Sequence, residues 1–533
     1  MDPIGGAQDP AQAGGWHWWT LAAVCAATFM LLVDVTIVQV ALPTIQRHLH
    51  SSFSDLEWVI DAYALSLASV LLTCGTLADR FGRKRVFVVG LVVFTAASFL
   101  CGVAPRSVFL IWARAAQGLG GGAMFATGLA LIGQDYHGAD RGRAIAAWGA
   151  TVGAAVAIGP LVGGALTDSL GWRWIFFVNV PIGIITAAFA ARRMVNVSDP
   201  GSKRLDLAGL VTFGGALFLL ILGLLRGNDD GWTSGPIVAL IGGAAVLLVL
   251  FVVVEARQSR PMFDLALFRK PAFVGVSLAT FAIGAGMFAM YPYLTLYLQN
   301  DLGYSPLAGG ARLLPSTVLC FVVPLATRTT AERFRPGHVL GAGMGITAVG
   351  VASMYGLGSG STWTALIPGL LLTGLGIGIV NPAIARTALG VVPRERSGMA
   401  SGISNTFRIG GLATGVAALG AVFQHQLTGA FSADHGLHVP ATALAKTVAS
   451  GGTRAAARLA PGDPGLTALV HQAFVDGVNR LLAIGAAAVF LGALAAVALI
   501  RQRDFHVAGG GGAPPPAGAV QPAEAASSPS SRA

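Results

Sequence analysis

The stretch Gly75–Val86 reads G-T-L-A-D-R-F-G-R-K-R-V. An apolar run precedes it, roughly Trp58 to Thr73, and another follows it, roughly Phe87 to Val103. Between the two runs the chain turns on two glycines, Gly75 and Gly82. It carries one acid, Asp79, and four bases, Arg80, Arg83, Lys84 and Arg85. This is the pattern of a very short polar loop joining two membrane spans. Lys and Arg in short loops are retained on the cytoplasmic side, so the loop also sets an orientation. A generic inter-span loop explains the bases and glycines, but not an acid held at fixed distance from both glycines.

The same pattern governs the whole chain. Of 533 residues, 54% are hydrophobic and 11% charged, with mean hydropathy +0.70. A soluble chain carries about 25% charged residues. Spans of about 20 apolar residues recur almost end to end. The reading is fourteen spans, at 18–42, 57–77, 86–104, 109–132, 143–166, 174–192, 206–225, 236–255, 272–298, 307–326, 338–357, 363–384, 399–424 and 479–500. Bases in loops after even-numbered spans, with those after the last span, number 22. Loops after odd-numbered spans hold 7. That alternation predicts that both termini are cytoplasmic. Trp16, Trp18 and Trp19 fit an inner aromatic belt, and Trp172 and Trp174 an outer one.

The loops after spans 2 and 10 echo each other, Asp79-Arg80-Phe81-Gly82-Arg83 against Glu332-Arg333-Phe334-Arg335. Such internal symmetry is what parallel repeats leave in transporters. It predicts an all-α polytopic membrane protein of two six-helix bundles plus an extra two-helix hairpin. Residues 1–17 form a cytoplasmic tail and 18–193 the first bundle. Residues 194–270 are the hairpin with its linkers. Residues 271–503 are the second bundle, with a long external loop at 425–478, and 504–533 are a disordered cytoplasmic tail.

Composition narrows the function classes. The net charge of +10 is spread over many loops, so it does not signal nucleic acid. Cys25, Cys74, Cys101 and Cys320 all fall in apolar runs and form no C-x-x-C, which predicts neither disulfides nor a metal site. The four histidines of the outer connection, His425, His435, His438 and His471, match no ligand spacing. Arginine far outnumbers lysine and Ala and Gly are in excess, as in bacteria with GC-rich genomes. No phosphate-binding Walker loop and no hydrolase, zincin or kinase signature is present, so the chain reads as a non-enzyme that uses no ATP and no cofactor.

Ionisable residues inside spans are costly and are functional candidates by default. Asp34 lies about nine residues, or roughly 13 Å, from the outer end of span 1. Asp61 lies about one turn below the outer end of span 2, and Arg114 about five residues below that of span 4. All three fall at overlapping depths in the outer half of the bilayer. Two acids and one base could form a coupled proton site. Asp34 and Arg114 could also be structural partners only, and Asp61 could simply face an outer vestibule. In span 5, small residues allow close helix packing and Pro160 frees a carbonyl, so the span could act as a pivot or merely pack well.

Several of these stretches carry a resemblance. G-x-L-A-D-R-x-G-R-K/R (Gly75, Asp79, Arg80, Gly82, Arg83) resembles the loop 2–3 signature of the major facilitator superfamily. D-x-T-I-V-x-V-A-L-P, from Asp34 to Pro43, resembles the span 1 signature of that superfamily's fourteen-span drug:proton antiporter branch. R-A-A-Q-G, from Arg114 through Gln117 to Gly118, resembles the span 4 motif, whose arginine is implicated in proton coupling. Gly149–Gly164, including Gly153, resembles the antiporter motif and matches its core at Gly159, Pro160, Gly163 and Gly164, with Ala155 in place of its first glycine. Trp172-Arg173-Trp174 and the following Phe176-Phe177-Val178-Asn179-Val180-Pro181 also look like this branch. In the second half the match lies mainly at Ser401–Gly411, which holds Arg408. The resemblance implies the major facilitator fold and proton-coupled efflux of hydrophobic drugs or antibiotics by alternating access. It implies a monomer in the cell membrane whose partners are the drug, protons and lipid. A nutrient symporter, and a membrane receptor or enzyme, are the alternatives.

Overall fold

A computed structural model describes residues 18–51, 53–136, 138–196, 207–258, 265–304, 306–331, 333–358, 360–392, 397–432, 440–445, 447–448 and 464–505. Regular structure among them is helical. The reason is local. In hydrocarbon every backbone N–H and C=O must be satisfied within the segment, and the helix does this for an uninterrupted apolar run.

The long helices, in chain order, are α1 (Trp18–Leu49), α2 (Phe53–Phe81), α3 (Arg83–Gly102), α4 (Ser107–Asp135) and α5 (Gly138–Ser169). Then come α6 (Trp174–Arg193, broken at Val178), α7 (Leu207–Asp230) and α8 (Gly235–Arg257). They are followed by α9 (Pro271–Gln299), α10 (Leu314–Ala331), α11 (Pro336–Ser353), α12 (Trp363–Gly390), α13 (Ser397–Ser432) and α14 (Pro464–Leu499). Among the described residues, ten helices are long and apolar enough to cross a membrane, or eleven if the two arms of α2, inclined at 49°, count as one.

Packing repeats with an offset of eight helices. Within the first half α2 packs on α4, α3 on α4 and α6, and α1 on α5 and α6. Within the second half α10 packs on α12, α11 on α12 and α14, and α9 on α13 and α14. The seam between halves obeys the same rule, because α5 meets α10 while α13 meets α2. α7 and α8 pair with each other, and α7 alone of that pair reaches both α2 and α13. α8 has the highest mean hydropathy, 3.2, and only 17% of that window is buried, which suits a lipid-facing helix.

The structure corrects four expectations. Gly75 does not turn the chain. It is buried inside α2, which continues to Phe81, and Gly82 alone separates α2 from α3. Gly82 adopts φ 100°, which side chains rarely tolerate, and a Cβ there would strike the Asn196 side chain. Second, the outer connection is shorter than 425–478. α13 runs to Ser432 and α14 starts at Pro464, because Val470, Phe474, Val475 and Val478 supply a buried stripe to these added turns. His471 on them lies with Nδ1 2.7 Å from Asp301 Oδ1, tying α14 to the turn after α9. Third, Trp172 is 1% exposed and packs edge-on to Phe176 in the first half, whereas Trp174 is exposed. Fourth, residue 504 is no tail. Asp504 accepts the Ala272 backbone N–H at the start of α9, and Phe505 reaches Gly390. The tails at 1–17 and 506–533, Glu332 of the loop echo, His435 and His438 lie outside the described residues.

Candidate functional site

Asp34 and Arg114 meet in the interior of the first half, each with 1% of its surface exposed. Arg114 and Gln117 stand one turn apart on α4 and so share a face toward α1. Arg114 Nη1 donates to Asp34 Oδ2 at 2.5 Å and to Gln117 Oε1 at 2.7 Å. Gln117 Nε2 donates to Asp34 Oδ1 at 2.9 Å and to Ser98 Oγ of α3 at 2.7 Å. Asn179 of α6 donates to Asp34 Oδ1 at 3.2 Å. The remaining face of Arg114 is also occupied. Its Nε donates to the Val59 carbonyl at 3.1 Å, and its guanidinium carbon sits 4.1 Å from the Tyr63 ring centroid, both on α2.

Five helices therefore share one network, with α4 and α6 bonding the Asp34 carboxylate of α1 directly and α2 and α3 holding Arg114 and Gln117. Gly118 makes room for this, since a Cβ there would lie 2.1 Å from Ser66 Oγ and 2.4 Å from the Tyr63 carbonyl, so α4 and α2 touch through backbone. The pair is electrically neutral as a unit and fully desolvated. Removing either charge strands the other.

Asp61 is not in this cluster. It is half-buried on α2, and neither Asp34 nor Arg114 bonds to it.

Between the halves lies a cavity of about 230 Å³. Leu31, Leu32, Val35 and Thr36 of α1, Leu67 of α2, Phe125 of α4 and Val152 of α5 line one side. Phe288, Tyr291, Pro292 and Thr295 of α9, with Leu313 just before α10, Thr317 of α10, and Arg408, Ile409 and Leu412 of α13, line the other. The lining is apolar and aromatic with a few polar groups, the usual make-up of a small-molecule site. α1 serves both sites: Leu31 and Val35 face the cavity while Asp34 between them faces α4 and α6.

The small residues of α5 serve two neighbours. A Cβ at Gly159 or Gly163 would strike Thr36 or Ile37 of α1. A Cβ at Gly153 would strike Cys320 of α10, and one at Gly149 would come within 3.3 Å of Pro382 of α12. Gly164 has open space. α5 therefore lies in backbone-close contact with its own half through one pair of glycines and with the opposite half through another. Pro160 lies within the unbroken α5 between the first two.

At the end of α2, Asp79 Oδ1 accepts from Arg83 Nε and Nη2 at 3.2 and 3.1 Å. Its Oδ2 accepts the backbone N–H of Met399 at 3.0 Å, in the first turn of α13. Arg80, another base of the motif, lies 4.9 Å over the Phe81 ring. The Asn196 carboxamide bridges Phe81 and Arg85 across the turn. A second tie between halves runs from Asn405 Nδ2 of α13 to the Phe125 carbonyl of α4, 3.2 Å.

Ser98, Tyr63, Asn196 and Met399 have no signature in the sequence. A hydroxyl or amide within a span is cheap enough to be common, and a backbone N–H leaves no mark at all.

Comparisons with known proteins agree with this architecture. The profile of the Major Facilitator Superfamily matches residues 24–416. The chain is 33% identical over 516 residues to "Multidrug resistance protein Stp" of Mycobacterium tuberculosis (strain CDC 1551 / Oshkosh), covering 92% of this chain and 93% of that one. It is 31% identical over 524 residues to the "Tetracenomycin C resistance and export protein" of Streptomyces glaucescens, covering 94% and 95%. Among solved structures, the human organic anion transporter MFSD10 (TETRAN) superposes with TM-score 0.59 at 12% identity, over 92% of this chain and 100% of that one. The profile match, the relatives and the helical fold lead to one statement: the chain belongs to the major facilitator superfamily, as a multi-pass membrane protein.

Proposed function

We propose that the protein exports hydrophobic small molecules, of the drug or antibiotic kind, across the cell membrane in exchange for protons. The relatives named for multidrug resistance and for tetracenomycin C export support the cargo class. The observation that carries the coupling is the position of Asp34. It sits on α1 between two residues that line the cavity, yet its carboxylate is bonded to α4 and α6. Protonating Asp34 removes the charge that Arg114 neutralises and weakens its grip on α1. A shift of α1 then changes the cavity wall, so proton and drug favour different arrangements of the halves, which is what exchange requires. Gln117 and Asn179 orient the carboxylate, and Asp61 is a helper nearer the entry.

The full membrane arrangement is part of this reading. α5, α10 and α11 complete a set of fourteen spans. Their Gly, Ala and Thr content lowers hydropathy but suits helices packed against other helices. The excess of bases in the even loops supports cytoplasmic termini and a cytoplasmic Asp79 turn. Rocking of α1–α6 against α9–α14 gives alternating access. No cofactor is needed beyond the proton gradient, and a single chain suffices. The test is export into inverted membrane vesicles energised by a proton gradient. Uptake of a hydrophobic dye that collapses with the gradient is expected, and uptake that survives a protonophore overturns the reading.

A further inference from the structure

Arg408 gives the central cavity a sign. It is 7% exposed, and it is the only described lining side chain that is charged at neutral pH. Its Nη1 donates to the neutral Asn381 carboxamide at 3.3 Å, and its Nε is buried without a hydrogen-bond partner among the described residues. Neither in-span carboxylate of the first half is among the described lining residues. Asp34 is turned away and consumed by Arg114, Gln117 and Asn179, and Asp61 is not among the described lining residues. Arginine does not shed its proton in proteins, so the charge persists. A buried guanidinium with an unused donor is costly until an acceptor arrives.

We propose that Arg408 is a specificity-determining residue that binds an acidic oxygen of the cargo, so that the cavity selects hydrophobic aromatic acids over amines of the same shape. This rests on the cavity being the cargo site. The aromatic body lies against Phe125, Phe288 and Tyr291, and the carboxylate or phenolate reaches Arg408 Nε and its neighbouring Nη. A planar guanidinium offers two parallel donors to such a group, which a lysine cannot reproduce in geometry but does in charge. A cationic amine in the same place meets a like charge in a mostly apolar site, where screening is weaker than in bulk water.

The test uses purified protein in detergent and three probes with one naphthalene body: 2-naphthylacetate, its methyl ester and 2-(2-naphthyl)ethylamine. Binding is read by equilibrium dialysis. Wild type is expected to bind the acid about ten-fold more tightly than the amine, the worth of one charge-assisted hydrogen bond. Arg408→Gln is expected to cost the acid about ten-fold and to leave the ester within about two-fold. Arg408→Lys should keep the order of acid over amine. Equal binding of acid and amine by wild type overturns the proposal without any variant, as does undetectable binding of the acid. Parallel losses for acid and ester in Arg408→Gln also overturn it, by showing that Arg408 only holds Asn381. The read-out needs no gradient, so a failure of proton coupling in vesicles leaves this binding order intact, and the converse holds.

Discussion

The Asp79 carboxylate at the end of α2 accepts the backbone N–H of Met399 in the first turn of α13, at 3.0 Å. One residue of the first half thus caps a helix of the second. The first-turn N–H groups of a helix lack partners of their own and carry partial positive charge, so an anion is favoured there. Arg83 holds the other oxygen and aims the carboxylate. The contact exists only while the ends of α2 and α13 are together, which makes it a latch on one arrangement of the halves.

Asp79→Asn keeps an acceptor for Met399 but loses the charge. The latch is expected to weaken by roughly 1–2 kcal/mol. The protein should still reach the membrane, and export should slow several-fold. Initial rates in vesicles at matched protein content decide this, and a wild-type rate would reduce the contact to packing.

Asp34→Asn removes the proposed proton acceptor and leaves Arg114 buried without its counter-charge. Breaking such a pair costs about 3–5 kcal/mol, so a lower melting temperature is expected together with loss of drug-induced proton release. Drug binding should persist, because the cavity wall of α1 is made by Leu31, Leu32, Val35 and Thr36. Asp61→Asn should impair export in a substrate-dependent way. Normal proton release from Asp34→Asn vesicles would move the coupling site to Asp61.

The glycines of α5 make a contrast within one helix. Leucine at Gly153 or Gly159 must displace Cys320 or Thr36, and overpacking of this kind costs about 1–3 kcal/mol. Both variants should insert and lose most export. Gly164→Leu, with open space at its Cβ, should export normally. Equal behaviour of all three in a dye-efflux assay would remove the case for α5 as a close-packed bearing.

Where α14 meets the turn after α9, burial pushes the Asp301 carboxyl above the ordinary 3.8, and the His471 contact acts against that rise. A carboxyl with a raised folded pKa favours the fold below its unfolded value and loses that contribution as pH climbs through the folded value. At about pH 8 the buried carboxylate is therefore a cost. Asp301→Asn is expected to raise the melting temperature there by a few degrees, and the gap should shrink toward about pH 5. A lower melting temperature at about pH 8 would show that the His471 pairing outweighs burial.

The helices are legible in the sequence because hydrocarbon admits few alternatives to an apolar helix, and the Asp34–Arg114 pair is legible because charge within a span is rare. Facing is not legible. Nothing local says that Asp34 points at α4 while its neighbours point at the cavity, or that Arg408 points in. Gly75 misleads for a related reason: a glycine at a helix contact and a glycine at a turn look alike until Asn196 is seen beside Gly82. The helical turns at 464–478 escape a hydropathy reading because polar residues are interleaved with the buried stripe of Val470, Phe474 and Val478.

The eight-helix offset has a consequence for how such a chain could arise and be pared down. The principal pairings inside each half repeat, and the intervening α7–α8 pair breaks none of them. The pair behaves as a passenger laid over the α2–α13 seam, joined to it through α7. A duplicated ancestor could have acquired it in one insertion without relearning its fold. A shortened chain that bridges α6 to α9 directly would retain every pairing inside each copy and lose only the cover on that seam.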